Sequence, residues 1–386
     1  MPNLLTPILS FVMTVTLAVG TLAAADGVSD TELLIGQCAA LKGPAAGLGT
    51  NMNLGLRACF DEANAKGGVH GRKLKLIAVD DGYDPDQCVD GTLKLLEESK
   101  VFCLAGYVGT PTGKAAIPVI TEKQVPLVGL FTGAGLFRKP VNPWIFNVRA
   151  SYDDETELLV ERLTKDLGAK KIAVFFQNDS FGQAGLSGTE KALTKRSMAL
   201  AAKGTFERNT VAVKAGLAQI LAGQPDAVVM VGPYKPIAAF VKEARSTGLK
   251  VPFATISFVG TESLISELAA DADGLIISQV VPSPADASIP LVKDFQAALK
   301  AVDTAAKPTY GSLEGYLGGR VLITGLDKAG KDLSRPGLVA ALESLQKADV
   351  GGVSVTFTKD NHQALSQVYL TQVGGGEAKP TAALKP

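Results

Sequence analysis

Short apolar runs rich in β-branched residues, each closed by a turn of Gly, Ser, Thr or Pro, alternate with stretches of helical spacing along most of this 386-residue chain. That alternation restricts the fold more than any other feature. Strands separated by helices pair in parallel, and a parallel sheet must be covered by helices on both faces. A first series places strands at Leu33–Ile35, Lys73–Val79, Val101–Gly106 and Val125–Gly129. Helices between them run through Leu54, Leu56 and Phe60, from Asp84-Pro85, and from Thr112 to Lys123. Pro85 suits a first turn, where its missing N–H costs nothing. The pattern restarts after Ser151. A helix from Glu155 to Leu167, with Leu158, Leu159, Leu163 and Leu167 in helical register, precedes strands at Lys171–Phe176, Asp226–Val231, Phe253–Ile256 and Leu275–Val280. Two such series predict an α/β protein with two doubly wound parallel-sheet domains.

The last third returns to both. Helices at Leu291–Val302 and Ser312–Leu326 have few strand partners of their own and are expected to complete the first domain. Strands at Val353–Phe357 and Gln367–Val373 are expected as a pair bridging the domains. The resulting division is 26–150 plus 281–357 for domain I and 151–280 plus 358–386 for domain II, joined by a hinge crossed several times. No internal sequence repeat is visible.

The N-terminus sets the compartment. Leu4 to Ala25 is uncharged and nearly all apolar or small, and it ends in Ala23-Ala24-Ala25 before Asp26. This is the pattern of a cleaved secretory signal over residues 1–25, although Met1-Pro2-Asn3 lacks the usual basic residue. A retained single-span anchor is the alternative, and both place the rest of the chain outside the cytoplasm. Cys38, Cys59, Cys88 and Cys103 are the only cysteines. An even, clustered set in an oxidising compartment reads as disulfides, with three pairings open.

Composition excludes several functions. Lys plus Arg and Asp plus Glu are both 38, with no block of like charge, so nothing favours nucleic acid. With two histidines and no CxxC, no metal site is expected. Gly109-Thr-Pro-Thr-Gly113-Lys114 is one residue short of a phosphate loop, and Ala115 stands where the Mg²⁺-binding hydroxyl belongs. No GxGxxG or GxSxG occurs. The chain is therefore expected to be a monomer without cofactor and without catalytic residues, not an enzyme.

What remains is a set of Gly-, Ser-, Thr- and aromatic-rich segments just past strand ends, where open parallel sheets bind ligands. They are Ala39–Pro44, Gly106–Thr110, Phe131–Ala134, Asn178–Phe181, Gly232–Tyr234 and Ser257-Phe258. Placed in corresponding positions of two domains, they would line the two walls of one cleft.

The same segments resemble the type I periplasmic solute-binding proteins of ABC transporters, specifically the branched-chain amino-acid (Leu/Ile/Val) binding family. The most specific markers are Ile35-Gly36 leading to Leu41-Lys-Gly-Pro44, the run Ala63-Asn-Ala-Lys-Gly-Gly-Val-His-Gly-Arg-Lys-Leu74, Asp80-Asp81-Gly-Tyr-Asp84-Pro85, and Asp179-Ser-Phe181-Gly182. The resemblance implies a hinged protein in the periplasm that closes on a small molecule and delivers it to a membrane permease. It implies that Thr110 and the Phe131-Thr132-Gly133 loop hold a ligand carboxylate, and that Phe181 and Tyr234 face it from domain II. With Tyr152, Ser257 and Phe258, these form the candidate ligand-binding set. The family's disulfide does not carry over, because Tyr83 and Gly109 occupy roughly those positions.

One departure concerns the ligand. Amino-acid binders place an acid after the strand that here ends Thr255-Ile256-Ser257-Phe258-Val259, to neutralise an ammonium. No acid follows here until Glu262. An unpartnered buried ammonium is costly, so the expected ligand is a small carboxylate with an apolar or aromatic body. The rival expectations are a branched-chain or other amino acid, and a ligand-sensing role for a membrane receptor.

Overall fold

The computed structural model describes residues 25–385, so the signal over residues 1–25 lies almost wholly outside the described residues. No helix among the described residues is long and apolar enough to cross a membrane. In the first lobe the order is β1 (Glu32–Ala39), α1 (Ala46–Ala65), β2 (Lys73–Asp80), α2 (Pro85–Leu93), β3 (Cys103–Ala105), α3 (Thr110–Glu122), β4 (Leu127–Val128) and β5 (Ile145–Phe146). In the second it is α4 (Tyr152–Leu167), β6 (Ile172–Gln177), α5 (Ser180–Thr194), β7 (Ala202–Phe206), α6 (Lys214–Ala222), β8 (Ala227–Val231), α7 (Tyr234–Ser246), β9 (Phe253–Thr255), α8 (Thr261–Leu268) and β10 (Ile276–Gln279). The chain then adds α9 (Pro290–Val302), α10 (Tyr310–Ala329), α11 (Arg335–Glu343), β11 (Ala348–Asp349), β12 (Ser354–Val355), β13 (Tyr369–Gly374) and β14 (Glu377–Pro380).

Both sheets are wound alike. The first runs β2-β1-β3-β4-β5, every pair parallel. The second repeats that order as β7-β6-β8-β9-β10, again parallel, and adds β13 and β14 antiparallel at its far edge. In this winding the strand order reverses between the first and third strands, and the crevice beyond their carboxyl ends is where ligands bind. Local signals start the helices: at Asp84-Pro85 as expected, and at Tyr152, three residues before the expected Glu155. Asp84 caps α2 by accepting from the N–H groups of Asp86 and Gln87, with Pro85 at the first turn. Ser151 and Asp154 form a capping box on α4, and left-handed Gly168 ends it.

The last helices pack into the core of the first lobe. Leu56, Phe60, Phe295, Tyr316, Leu322 and Phe357 share its core. Glycine makes this packing close: a Cβ on Gly55 of α1 would lie 1.9 Å from the Ser312 carbonyl oxygen of α10, and one on Gly315 would lie 2.4 Å from that of Met52. The contact fixes the first turns of α10 at the cleft.

Two expectations are corrected. The late strands do not pair with each other. β12 pairs with β11, Ala348 opposite Val355, while β13 pairs with β10 in the other sheet. The cysteines are not disulfide-bonded: all four are buried free thiols. Cys59 and Cys103 sit in the first-lobe core, where burial pushes both thiols up, Cys103 to about 12. They act as small apolar residues.

The chain passes between the lobes at 147–151, 280–289 and 358–368. The first and third passages run side by side: Asn147 N donates to His362 O at 2.8 Å, and Ala364 N to Asn147 O at 2.8 Å. The His362 ring stacks on Phe146, with centroids 4.0 Å apart.

Candidate functional site

The carboxyl ends of the strands face each other across the crevice, and their loops meet there. Thr110, at the start of α3, and Thr132, past β4, are both fully buried and joined through their hydroxyls at 2.6 Å. Thr132 Oγ1 in turn donates to the Tyr152 hydroxyl at 3.2 Å. Gly133 makes this possible, because a Cβ there would lie 2.4 Å from the Tyr152 ring. Burial pushes the Tyr152 phenol up to about 12.

Aromatic rings fill the space beside these hydroxyls. Phe258, carried by the turn after β9, packs on Phe181 at 4.5 Å, Phe131 at 5.2 Å and Tyr83 at 6.2 Å between centroids. Phe181 also meets Tyr152 at 5.5 Å. One buried apolar cluster therefore continues from Tyr83, Tyr107 and Phe131 of the first lobe through Phe181 and Phe258 into the second. Tyr83 was not among the expected ligand-binding residues. It has a positive φ of 62° in the turn after β2, where its N–H donates to Asp81 Oδ1 at 2.8 Å. Behind it, the ligating atoms of Cys38, Asp81 and Cys88 lie within 4.8 Å of one another, and burial pushes Asp81 up to about 6.

Thr110, Phe131, Thr132, Gly133, Tyr152, Phe181 and Phe258 thus fall in one place. Tyr234 stands apart: its hydroxyl accepts from the Gly47 N–H of α1 at 3.2 Å, a bond between the lobes. Ser257 belongs to a third grouping, which is charged.

Arg149, in the first passage between lobes, is 1% exposed. Its Nη2 meets Glu155 Oε1 at 2.9 Å and also donates to Ser257 Oγ; its Nη1 lies 3.4 Å from Glu314 Oε1 on α10. Glu155 is well supplied with donors: Ser257 N at 2.8 Å, Ser257 Oγ at 3.1 Å and Ser278 Oγ at 2.6 Å. The guanidinium lies 5.0 Å from the Phe131 ring centroid and 5.7 Å from that of Tyr152. Burial works against the Arg149 charge, but Glu314 and Glu155 outweigh it and hold its pKa up. Glu314 is pushed up to about 7 by burial; Arg149 opposes the shift and Glu155 adds to it.

The expectation of a second wall without negative charge near Ser257 is therefore wrong. The turn after β9 that carries Ser257 supplies no acid, but Glu155 of α4 accepts from both its N–H and its hydroxyl. A small cavity beside Ser257 is lined by Asn51, Phe131, Glu262, Gln279 and Glu314, with room for about one water, roughly 10 Å³. Glu262 Oε1 accepts from Tyr310 N at 3.0 Å, and burial raises its pKa. The one sequence signal for this cluster was the lone charge of Arg149 in the apolar run from Trp144 to Ala150.

Known proteins agree with this architecture. A periplasmic binding protein family model matches residues 32–378. The Leu/Ile/Val-binding protein homolog 7 of Brucella abortus is 24% identical over 329 residues, covering 81% of this chain and 82% of its own length. A crystal structure described as a possible leucine/isoleucine/valine-binding protein, from Rhodopirellula baltica, superposes with a TM-score of 0.88 at 37% identity, covering 93% of this chain and 98% of that one. A substrate-binding periplasmic protein from Ralstonia solanacearum gives a TM-score of 0.86 at 27% identity, over 91% and 100% of the two chains. Two like-wound lobes, three passages and a lined cleft together with these matches show that the chain belongs to the type I periplasmic binding proteins, in the branched-chain amino-acid binding family.

Proposed function

We propose that this protein is the periplasmic solute-binding component of an ABC importer, and that it closes on a small carboxylate with an apolar or aromatic body. The observation that carries the reading is the adjacency of the Thr110–Thr132 hydroxyl pair to rings contributed by both lobes. Hydroxyls and the N–H groups at the start of α3 suit an anion. Phe131 and Tyr83 on one wall, with Phe181 and Phe258 on the other, suit an apolar body. A ligand that touches both walls favours the closed form, because only there are all its contacts made. The permease then meets a closed shape.

The two histidines support a binding role over catalysis. His70 Nε2 lies 3.2 Å from Leu326 O, and His362 is held between Phe146, Asn142 O and Glu343, so neither stands beside a nucleophile.

Calorimetry with 3-phenylpropanoate and 4-methylpentanoate, each as the free acid anion, tests the ligand class. Micromolar binding accompanied by a smaller radius of gyration in solution scattering is expected. Binding of a neutral sugar with neither acid taken up would overturn the reading.

A further inference from the structure

Cys38, Asp81 and Cys88 come from three stretches of the first lobe that regular backbone fixes against one another. Cys38 lies on β1, opposite Val79 of β2. Asp81 follows β2, its N–H donating to Ala39 O at 3.1 Å, and Cys88 lies in the first turn of α2, its N–H donating to Asp84 O at 3.0 Å. All three side chains are fully buried, and one ligating atom from each lies within 4.8 Å of the others. Gly91, one turn along α2, leaves room for the Cys38 sulfur, since a Cβ there would lie 2.7 Å from it. Asp81 Oδ1 is taken by the Tyr83 N–H at 2.8 Å, while its Oδ2 faces Cys38 Sγ at 3.8 Å. No Lys, Arg or His among the described residues pairs with this carboxylate, and the charge that acts on it most is the like charge of Asp80.

A buried carboxylate without a cation is costly, and the two sulfur atoms beside this one are soft metal ligands. We propose that Cys38, Asp81 and Cys88 form a binding site for Zn²⁺, behind the Tyr83 wall of the cleft and separate from the solute. Around a tetrahedral zinc, with bonds of about 2.3 Å to sulfur and about 2.0–2.2 Å to oxygen, ligating atoms stand roughly 3.5–3.8 Å apart. The Cys38–Asp81 pair already has that spacing, and the other pairs need to close by about 1 Å at most. Two sulfur ligands with one carboxylate select zinc over calcium or magnesium, which take oxygen ligands. On coordination each thiol gives up its proton to solvent. Asp81 binds through Oδ2 while Oδ1 keeps the Tyr83 N–H, and a water fills the fourth position. The ligands lie 43 and 7 residues apart in sequence, a spacing unlike short zinc motifs, so only the fold brings them together.

The reduced chain, stripped of metal by a chelator and kept anaerobic, gives the test. One equivalent of Co²⁺ should produce the near-ultraviolet sulfur-to-cobalt absorption of thiolate ligands, and one equivalent of Zn²⁺ should bleach it. The absorption should vanish when the chain is unfolded in urea, and Zn²⁺ should raise the unfolding midpoint. Cys38→Ser and Cys88→Ser should each weaken Zn²⁺ binding at least about tenfold in competition with a chromophoric chelator. Cys59→Ala, a core position away from the cluster, should leave it unchanged. The cobalt spectrum of the unmodified chain decides the matter even if a variant folds poorly. Absence of a sulfur-to-cobalt band overturns the site, as does a band unchanged in both serine variants. A Cys38–Cys88 disulfide in protein isolated from the periplasm also overturns it. None of these outcomes touches the carboxylate reading of the cleft.

Discussion

Phe258 and Arg149 both pack on the Phe131 ring, and the two neighbourhoods respond to opening of the cleft in opposite ways. Around Phe258 the contacts are apolar and non-directional. Separating them exposes rings at a cost proportional to area, roughly 25 cal/mol per Å², which a ligand's own apolar body can offset. Around Arg149 the contacts are charged, buried and directional, and losing one partner strands a charge. The aromatic side is therefore suited to part and re-form, while the charged side is suited to stay assembled near the passages that join the lobes.

Removing the guanidinium should give the largest effect. Arg149→Met leaves the buried Glu155 carboxylate without its cation and should cost about 3–5 kcal/mol in urea unfolding. Phe258→Ala should cost less than Phe240→Ala, which empties a lobe core where Phe240 stacks on Phe175 at 3.9 Å and belongs to the range of about 3–5 kcal/mol. Equal losses for the two Phe variants would erase the distinction between the cleft and a core.

Next comes pH. The folded protein holds a proton on Glu314 up to about 7, against an ordinary value of 4.5. Between those values the folded state binds more protons than the unfolded one, so this contribution to stability is present at low pH and is lost as pH rises through 7. The loss is on the order of 3 kcal/mol. Glu314→Gln should flatten that part of the curve. Asp81, raised to about 6, falls in the same direction at lower pH and should remain.

Thr110→Ala should weaken binding of a carboxylate ligand by roughly 1–3 kcal/mol in calorimetry, beyond the smaller loss of stability, about 0.5–1.5 kcal/mol, from breaking its buried hydrogen bond to Thr132. Smallest of all, Tyr234→Phe removes the hydroxyl that accepts from Gly47 N–H between the lobes. About 0.5–1.5 kcal/mol of closure should be lost, visible as a slightly larger radius of gyration at saturating ligand.

The same contrast explains what could be read in the sequence. The aromatic side was legible because Phe131, Phe181 and Phe258 each follow a strand end, and winding alone brings strand ends together. The charged side was not. Arg149, Glu155, Ser257 and Glu314 come from four separate stretches of chain, and Glu155 looked like an ordinary first-turn acid on α4. Their meeting depends on α10 approaching α1 at Gly55 and Gly315, a distance that no periodicity encodes. β5 and β11 were too short to show as runs. The disulfide expectation failed because clustering along the sequence does not bring sulfur atoms into bonding geometry: Cys59 and Cys103 are separate core positions.

The pairing of the first and third passages carries a mechanical consequence. Two segments hydrogen-bonded side by side at Asn147 and His362 form a ribbon, which flexes readily about one axis and resists twisting about its length. A single strand would let one lobe swivel on the other like a ball in a socket. Here opening is confined close to one degree of freedom. Each opening and closing then brings Phe258 back to the same ring partners along the same arc.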